Sequence, residues 1–232
     1  MTTRVVVLLS GRGSNLAAVL THVRCGQIPA TVVGVISNRP GAGGLAIARS
    51  AGITAACIDH RLHADRSGFE TVLATTIDAL QPDLILLAGF MRVLTPAFVE
   101  RYSPRLLNVH PSLLPEHRGL DTHARALARG DREHGASVHV VVPELDAGPV
   151  IAQVAVPIRP EDDVAQLAAR VQRGEHLLYP RVLEWYATGR LQLDQAQVRL
   201  DGRPLPERGA RFRLVMANSD NAAAAGDTLE VA

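Results

Sequence analysis

The 232-residue sequence predicts an α/β fold, a Rossmann-like and mostly parallel sheet with helices on both faces. Short apolar runs alternate with helical patterns through the first half of the chain, which is typical of βαβ units. These runs are continuously apolar rather than alternating, as expected of strands that are buried on both faces. Because hydrophobic residues make up 47% of the chain and charged residues 20%, the sequence can bury a substantial core.

Five strands are predicted in the first half, each closed by glycine, proline or polar residues. They are expected at residues 5–9, 31–36, 54–58, 84–88 and 106–109. Apolar residues at helical spacing predict helices at residues 16–23, 45–51 and 69–80. Open α/β sheets bind ligands beyond the carboxyl ends of their strands, so that edge is where a site is expected.

The second half of the chain changes character. Residues 136–142 and 150–156 flank a short turn with no helix between them, so they are expected to pair antiparallel. A long helix is predicted over residues 164–185. A small hairpin is predicted over residues 198–205, with an Asp-Gly pair at its turn.

The C-terminal tail, from about residue 218, lacks apolar periodicity and is expected to be disordered. No internal repeat divides the chain further. We therefore expect one domain over residues 1–205 and a largely disordered C-terminal extension over residues 206–232.

Charge and composition exclude several classes of protein. A net charge of +1 gives no field that favours nucleic acid or a membrane surface, and 3% aromatic residues argue against base stacking. The apolar runs are too short to span a bilayer and no signal segment precedes the first strand, so a cytoplasmic protein with small-molecule substrates is expected. Cys25 and Cys57 match no metal or redox spacing and are expected to be buried free thiols. Both a monomer and a homodimer remain open.

A glycine-rich turn joins the first predicted strand to the first helix. Gly11 and Gly13 allow close approach of the backbone to a ligand, and Ser14 and Asn15 place donors at a helix N-terminus, which favours an anion. The turn lacks the Lys-Ser/Thr pair of a P-loop and is not a full dinucleotide fingerprint. Phosphate binding and a simple tight turn are equally compatible with this segment.

The residues most suited to chemistry lie at the end of the fifth strand and in a later turn. Asn108 and His110 are two positions apart, so they are expected to face the same way, and Pro111 ends the strand. Asp146 lies in the turn between the two antiparallel strands. An amide, an imidazole and a carboxylate suit acyl transfer to an amine. A core histidine and an aspartate that caps its own turn are the alternatives.

Four further histidines suggest a metal site at first sight. None of His117, His123, His134 and His139 forms a pair on one helical face, so we expect no metal. His139 could support Asp146 or the substrate, or it could be a strand histidine with satisfied hydrogen bonds. Gln172 and Glu175 are three positions apart on the late predicted helix, and by spacing alone they form a solvated stripe. Arg66, beside a predicted helix start, could likewise be only a surface charge.

Four motifs taken together resemble the formyltransferase family. They are SGRGSN at residues 10–15, AGFMR at 88–92, NVHPSLLP at 108–115 and LDAGP at 145–149. In their order they are similar to the folate-dependent enzymes that formylate glycinamide ribonucleotide in de novo purine biosynthesis. The resemblance runs from about residue 4 to 205, and it implies that residues 1–205 are a formyltransferase domain with 10-formyltetrahydrofolate as co-substrate and no metal.

The resemblance also implies roles for individual residues. It implies catalysis by Asn108, His110 and Asp146. It implies binding of the ribonucleotide phosphate and ribose by Gly13, Ser14, Asn15, Gln172 and Glu175. It implies a pterin pocket lined by Met91, Arg92, Val93 and Leu94. A basic residue near the folate glutamate tail is implied at Arg66.

One segment departs from the family pattern. After Pro115 the family has a lysine, an aromatic residue and a proline, whereas this chain has Glu116, His117 and Arg118. The loop over the site is therefore expected to differ in closure or charge.

Three alternative functions remain. One is a deformylase of the same cofactor, and another is a formyltransferase acting on a different amine, such as methionyl-tRNA. The extra domains of those enzymes are not expected here, because the chain begins at its first strand and little follows residue 205. The third is a non-catalytic nucleotide-binding module of Rossmann type. It would need the glycine-rich turn but not the amide, imidazole and carboxylate together.

Overall fold

The computed structural model describes residues 2–194, 197–217 and 226–232. Six helices are seen there: α1 Ser14–Arg24, α2 Gly43–Ser50, α3 Arg66–Ala79, α4 Pro96–Tyr102, α5 Thr122–Arg129 and α6 Val164–Ala187. The first seven strands of the described residues are β1 Thr3–Leu9, β2 Ala30–Ser37, β3 Ala55–Cys57, β4 Leu84–Leu87, β5 Leu106–His110, β6 Glu133–Val140 and β7 Val150–Pro157. Five shorter or later strands follow: β8 Leu191–Leu193, β9 Val198–Leu200, β10 Arg203–Pro204, β11 Ala210–Val215 and β12 Thr228–Val231.

The central sheet has the predicted character. In the described residues its strand order is β12-β11-β7-β6-β5-β4-β1-β2-β3. Strands β3, β2, β1, β4 and β5 are parallel, whereas β6 runs antiparallel to both β5 and β7. The mostly parallel sheet and the antiparallel pair in the second half are thus confirmed. Because β6 runs antiparallel to β5, Val140 at the end of β6 pairs with Leu107, so the β6–β7 turn begins beside the first residues of β5.

Helix α6 fixes one face of the sheet. It begins with a capping box, in which the Asp163 carboxylate accepts from the Gln166 backbone and the Gln166 side chain accepts from the Asp163 backbone. Gly174 lets the helix approach β7 closely, since a Cβ there would lie 2.8 Å from a Val154 methyl carbon. Tyr179 is fully buried, and its hydroxyl reaches the backbone carbonyl of Leu87 at the end of β4. The helix is therefore a rigid support for the residues on its inner face.

The C-terminal stretch adds strands to the sheet. Within the predicted extension, β11 pairs with β7 in parallel and β12 pairs with β11 antiparallel. Phe212 and Leu214 on β11 are buried, and the Phe212 ring lies 6.0 Å from that of Trp185. An arginine on α6, Arg173, forms an ion pair with Asp227 just before β12. The part of the predicted disordered tail at residues 218–225 lies outside the described residues, and the boundary at residue 205 stays a prediction.

Of two smaller predictions, one is confirmed and one was wrong. The hairpin at residues 198–205 is confirmed, since β9 and β10 pair antiparallel around Asp201-Gly202. The expectation of buried thiols was wrong, because Cys25 and Cys57 are both exposed. Cys57 lies on β3, the edge strand of the sheet, and Cys25 follows the last turn of α1. No helix in the described ranges is both long enough and apolar enough to cross a bilayer.

Candidate active site

The end of β5 presents the two predicted strand residues next to β6. Asn108 pairs in register with His139, and His110 with Ser137. His110 is buried, with 6% of its surface exposed, and Asn108 is partly buried. Because strand residues alternate in direction, Asn108 and His110 project to the same side of the sheet.

Asp146 comes to His110 from the turn between β6 and β7. Its Oδ2 atom lies 3.4 Å from Nδ1 of His110, and the same oxygen accepts a hydrogen bond of 2.9 Å from the Gly119 amide. The Asp146 backbone is left-handed, with φ of 49°, a conformation that aspartate and asparagine tolerate better than most residues. The side chain is 8% exposed, so its charge acts on His110 with little screening by water.

The turn carrying Asp146 requires a glycine. A Cβ on Gly148 would lie 1.8 Å from the backbone oxygen of Val140, the last residue of β6. The Val140 amide in turn donates to the Pro149 carbonyl at 3.0 Å. The turn is thus pressed against β6, and this contact sets the position of the carboxylate.

His139 completes a chain of hydrogen bonds behind Asn108. Its Nδ1 lies 3.0 Å from the Val140 carbonyl, which accepts only, so Nδ1 carries the proton. Its Nε2 therefore accepts from the Asn108 amide nitrogen at 3.1 Å. Burial lowers the pKa of His139 to about 4, so this imidazole is neutral at physiological pH. Both ring nitrogens of His139 are thus hydrogen-bonded, as expected of a strand histidine with satisfied hydrogen bonds, and the side chain it holds is Asn108.

His110 is held from the opposite side by the loop before α5. Its Nε2 lies 3.1 Å from the His117 carbonyl, which requires that Nε2 carries a proton. Nδ1 is the ring nitrogen that faces Asp146. Asn108, His110 and Asp146 therefore meet in one place although 38 positions separate the first from the last.

A cavity of about 100 Å³ opens beside this group. The polar part of its lining consists of Arg92, Asn108, His139, Glu144 and Asp146. The remaining lining is apolar and consists of Leu87, Phe90, Val93, Leu94, Val99, Val141, Val142, Pro143 and Leu145. An apolar slot with a few convergent polar groups suits a flat heterocycle.

Two of the residues assigned to folate lie outside the cavity lining. Met91 is 57% exposed, and its backbone amide donates to the Ser10 hydroxyl at 2.7 Å. Arg66 is the first residue of α3 and is exposed. The structure therefore places three of the four predicted pterin residues in the cavity wall, with Met91 beside it.

Sequence reasoning missed Glu70, a buried carboxylate on α3. It is 5% exposed and accepts from the Thr95 amide at 2.8 Å and from the Thr95 hydroxyl. Thr95 caps α4 and directly follows the cavity residue Leu94. Glu70 thus anchors the wall of the cavity through Thr95. The Thr95-Pro96 pair indicates a helix start in the sequence, but no nearby residue indicates that Thr95 bonds to Glu70.

The glycine-rich turn forms a second group with α6. Gly13 has φ of 83° and immediately precedes α1. The Gln172 amide donates to the Ser14 hydroxyl at 3.1 Å, and the Asn15 amide donates to the Glu175 carboxylate at 2.7 Å. All five residues assigned to the ribonucleotide therefore adjoin one another. The solvated-stripe alternative was wrong for Glu175, which is 9% exposed.

Burial raises the pKa of Glu175 to about 6, and the hydrogen bond from Asn15 opposes this shift. The Asn15 Oδ1 atom is buried with no hydrogen-bond partner among the described residues. A buried carboxylate beside an unpaired acceptor has hydrogen-bonding capacity to spare. This arrangement suits a ligand that presents several donors, such as the hydroxyls of a sugar.

We expect Glu175→Gln to stabilise the protein near pH 7. The native state holds more protons than the unfolded chain between about pH 4.5 and 6, so the stability of the wild type falls as pH rises through that window. The variant lacks this loss, which amounts to roughly 2 kcal/mol above pH 6. Urea unfolding at pH 4 and pH 7 measures it; Glu184→Gln, on the same helix but partly exposed, is the control. An equal gain at both pH values would contradict the titration argument.

The histidines do not form a metal centre. His134 Nε2 lies 3.2 Å from His123 Nδ1, and His117 Nε2 lies 2.7 Å from the Asp131 carboxylate. Across residues 2–194, 197–217 and 226–232, no group of three or more histidine, cysteine, aspartate and glutamate side chains is arranged to hold a metal ion.

An α/β sheet that brings an amide and an imidazole at the end of β5 together with a carboxylate from the β6–β7 turn is typical of acyl-transfer enzymes. Residues 3–183 match the family model described as formyl transferase, so the chain belongs to the formyl transferase family. It is 48% identical over 205 residues to the phosphoribosylglycinamide formyltransferase of Escherichia coli strain K12, with 88% of this chain and 97% of that protein covered. Within the family it therefore belongs with the phosphoribosylglycinamide formyltransferases.

Comparison with solved structures supports the same family assignment. The phosphoribosylglycinamide formyltransferase of Coxiella burnetii has a TM-score of 0.87 and 48% identity, with 91% of this chain and 99% of that chain covered. The formyltetrahydrofolate deformylase of Burkholderia mallei has a TM-score of 0.78 and 26% identity, with 86% of this chain and 70% of that chain covered. Both the higher identity and the fuller coverage favour the transferase over the deformylase alternative.

Proposed function

We propose that this chain transfers the formyl group of 10-formyltetrahydrofolate to the primary amine of glycinamide ribonucleotide in de novo purine biosynthesis. The supporting observation is that Asn108, His110 and Asp146 converge beside an apolar slot, while a separate polar group joins α1 to α6. Holding both substrates in register on one protein would turn a bimolecular reaction into an intramolecular one.

The slot between Leu94 and Asp146 would hold the pterin, and the turn at Ser14 would hold the phosphate. The N-terminus of α1 offers backbone amides and a positive dipole end to an anion. Glu175 and the unpaired Asn15 Oδ1 would accept from the ribose hydroxyls. Arg66 would lie near the glutamate tail of the folate, as the resemblance implies.

Chemistry would begin with attack of the substrate amine on the formyl carbon. The tetrahedral intermediate carries an oxyanion, which the Asn108 amide and a protonated His110 would stabilise. One such donor contributes about 3 kcal/mol to lowering a barrier. His139 holds the Asn108 amide in place, and the Asp146 charge stabilises the imidazolium at 3.4 Å.

The remaining step is proton movement. The amine must lose a proton, and N10 of the leaving folate must gain one. Asp146 lines the slot and lies 3.4 Å from His110, so it would hold a water molecule that carries this proton. The formyl group is already activated on the folate, so the scheme needs neither a metal nor a covalent enzyme intermediate.

A coupled absorbance assay tests the proposal. Purified protein is mixed with glycinamide ribonucleotide and a formyl-folate analogue whose deformylated product absorbs in the ultraviolet. We expect product only when both substrates are present. Release of formate without the ribonucleotide would make the protein a deformylase, and formylation of methionyl-tRNA in place of the ribonucleotide would make the acceptor assignment wrong.

A further inference from the structure

The loop before α5 contacts both partners of the catalytic pair through its backbone. The His117 carbonyl accepts from His110 Nε2 at 3.1 Å, and the Gly119 amide donates to Asp146 at 2.9 Å. These two bonds leave His110 Nδ1 as the ring nitrogen on the side of Asp146. A main-chain carbonyl on one imidazole nitrogen commonly decides which nitrogen does the chemistry.

The start of this loop is anchored in the interior. The Ser137 hydroxyl donates to the Ser112 carbonyl at 2.6 Å and accepts from the Leu114 amide at 3.0 Å. The Gln153 amide donates to the Leu114 carbonyl at 2.7 Å. The Ser137 and Gln153 side chains are both fully buried, so residues 112–114 have a fixed position.

The other end is held by charged side chains that include the segment departing from the family pattern. Arg129 donates to Glu116 at 2.6 Å, and its Nε and Nη2 donate to the two oxygens of Asp131 at 2.6 and 3.0 Å. His117 Nε2 donates to Asp131 at 2.7 Å. The hydrogen bonds from Arg129 hold the pKa of Asp131 below its usual range, so it is a carboxylate at neutral pH.

The side chains of this network differ in their exposure to solvent. The His117 and Asp131 side chains are 7% and 16% exposed, whereas Glu116 and Arg129 are 39% and 51% exposed. Exposed ion pairs contribute little, so within this charged network the shielded bond between His117 and Asp131 is the one expected to contribute most. The Ser112 hydroxyl adds a bond of 2.6 Å to the Glu116 carbonyl. His117 also has a left-handed backbone, with φ of 53°, a conformation that few non-glycine residues adopt, although histidine does so more often than most.

We propose that His117 and Asp131 are positioning residues, which hold the loop backbone against His110 and Asp146 and so set the geometry of the catalytic pair. The inference rests on the proposed function of that pair. His117 does this with an imidazole where the family pattern has an aromatic residue. Neither residue lines the slot beside Asn108; both act through the carbonyl at 117 and the amide at 119.

Two variants test the proposal. Asp131→Asn removes the charge that His117 and Arg129 share. His117→Asn removes the imidazole while suiting the left-handed backbone, so it does not add strain. The matched control is Asp201→Asn, which makes the same change in the Arg190–Asp201 ion pair of the β9–β10 hairpin, away from the site.

We expect kcat to fall about tenfold in both loop variants, because a small misplacement of catalytic groups is costly, while KM for both substrates changes less than about twofold. Exchange of the Gly119 amide with deuterium is expected to accelerate by about tenfold. The ¹⁵N shifts of His110 should show that Nε2 no longer carries the proton uniquely. The control should match the wild type in all three measurements, and thermal unfolding checks that each variant is folded.

Unchanged kcat together with faster exchange at Gly119 would overturn the proposal, and so would a change in KM alone. Failure of the proposed function is distinguishable from this result. If the wild type does not formylate glycinamide ribonucleotide, the function is wrong, but exchange at Gly119 and the His110 spectrum still report whether His117 and Asp131 hold the loop.

Discussion

Asp146→Asn is expected to lower kcat by about two to four orders of magnitude, as loss of the carboxylate beside a catalytic histidine does in other enzymes. The wild-type carboxylate lies 3.4 Å from His110 Nδ1, where the proposed mechanism requires a negative charge. An asparagine there offers no charge and directs either a neutral oxygen or an amide donor at the same nitrogen. The measurement is kcat with both substrates saturating, together with binding of each substrate to the variant.

The variant is a test of charge rather than of folding. Asparagine tolerates the left-handed backbone at position 146, and its Oδ1 can still accept from the Gly119 amide. Asp121→Asn is the matched control, because Asp121 has φ of 56°, is exposed and makes no side-chain cap to α5. We expect the control to retain wild-type turnover. Near-normal turnover of Asp146→Asn would remove Asp146 from the mechanism.

The parallel half of the fold was predictable from sequence because strands that are buried on both faces consist of continuous apolar runs. Such runs precede Ser10 and Gly89, and the structure has strands there. The added strands β11 and β12 have a weaker apolar pattern. Their pairing with distant β7 depends on long-range packing of residues such as Phe212, which short windows of sequence do not report.

In the candidate site, the proximity of Asn108 and His110 follows from the alternation of side chains along a strand. The support by His139 does not follow, because it depends on the register of β5 against β6, which places His139 opposite Asn108. The contacts of the loop at His117 and Gly119 are made by main-chain atoms. Main-chain hydrogen bonds of a loop have no side-chain signature, so sequence patterns could indicate only that the segment was unusual.

Gly148→Ala is expected to destabilise the protein by about 3 kcal/mol and to abolish most formyl transfer, because overpacking against backbone leaves no room to relax. The new Cβ would lie 1.8 Å from the Val140 oxygen and 2.9 Å from the Val140 carbonyl carbon. The turn must therefore move away from β6, and Asp146 moves with it. Urea unfolding gives the loss of stability, and kcat/KM of the folded fraction gives the loss of alignment.

Gly41→Ala separates this clash from the general effect of adding a methyl group. A Cβ at Gly41 meets nothing within 4 Å, and its φ is not in the left-handed region. We expect that variant to match or slightly exceed wild-type stability, since alanine restricts the unfolded chain. If Gly148→Ala kept both stability and kcat/KM, the close approach of the turn to Val140 would not be what places the Asp146 carboxylate beside His110.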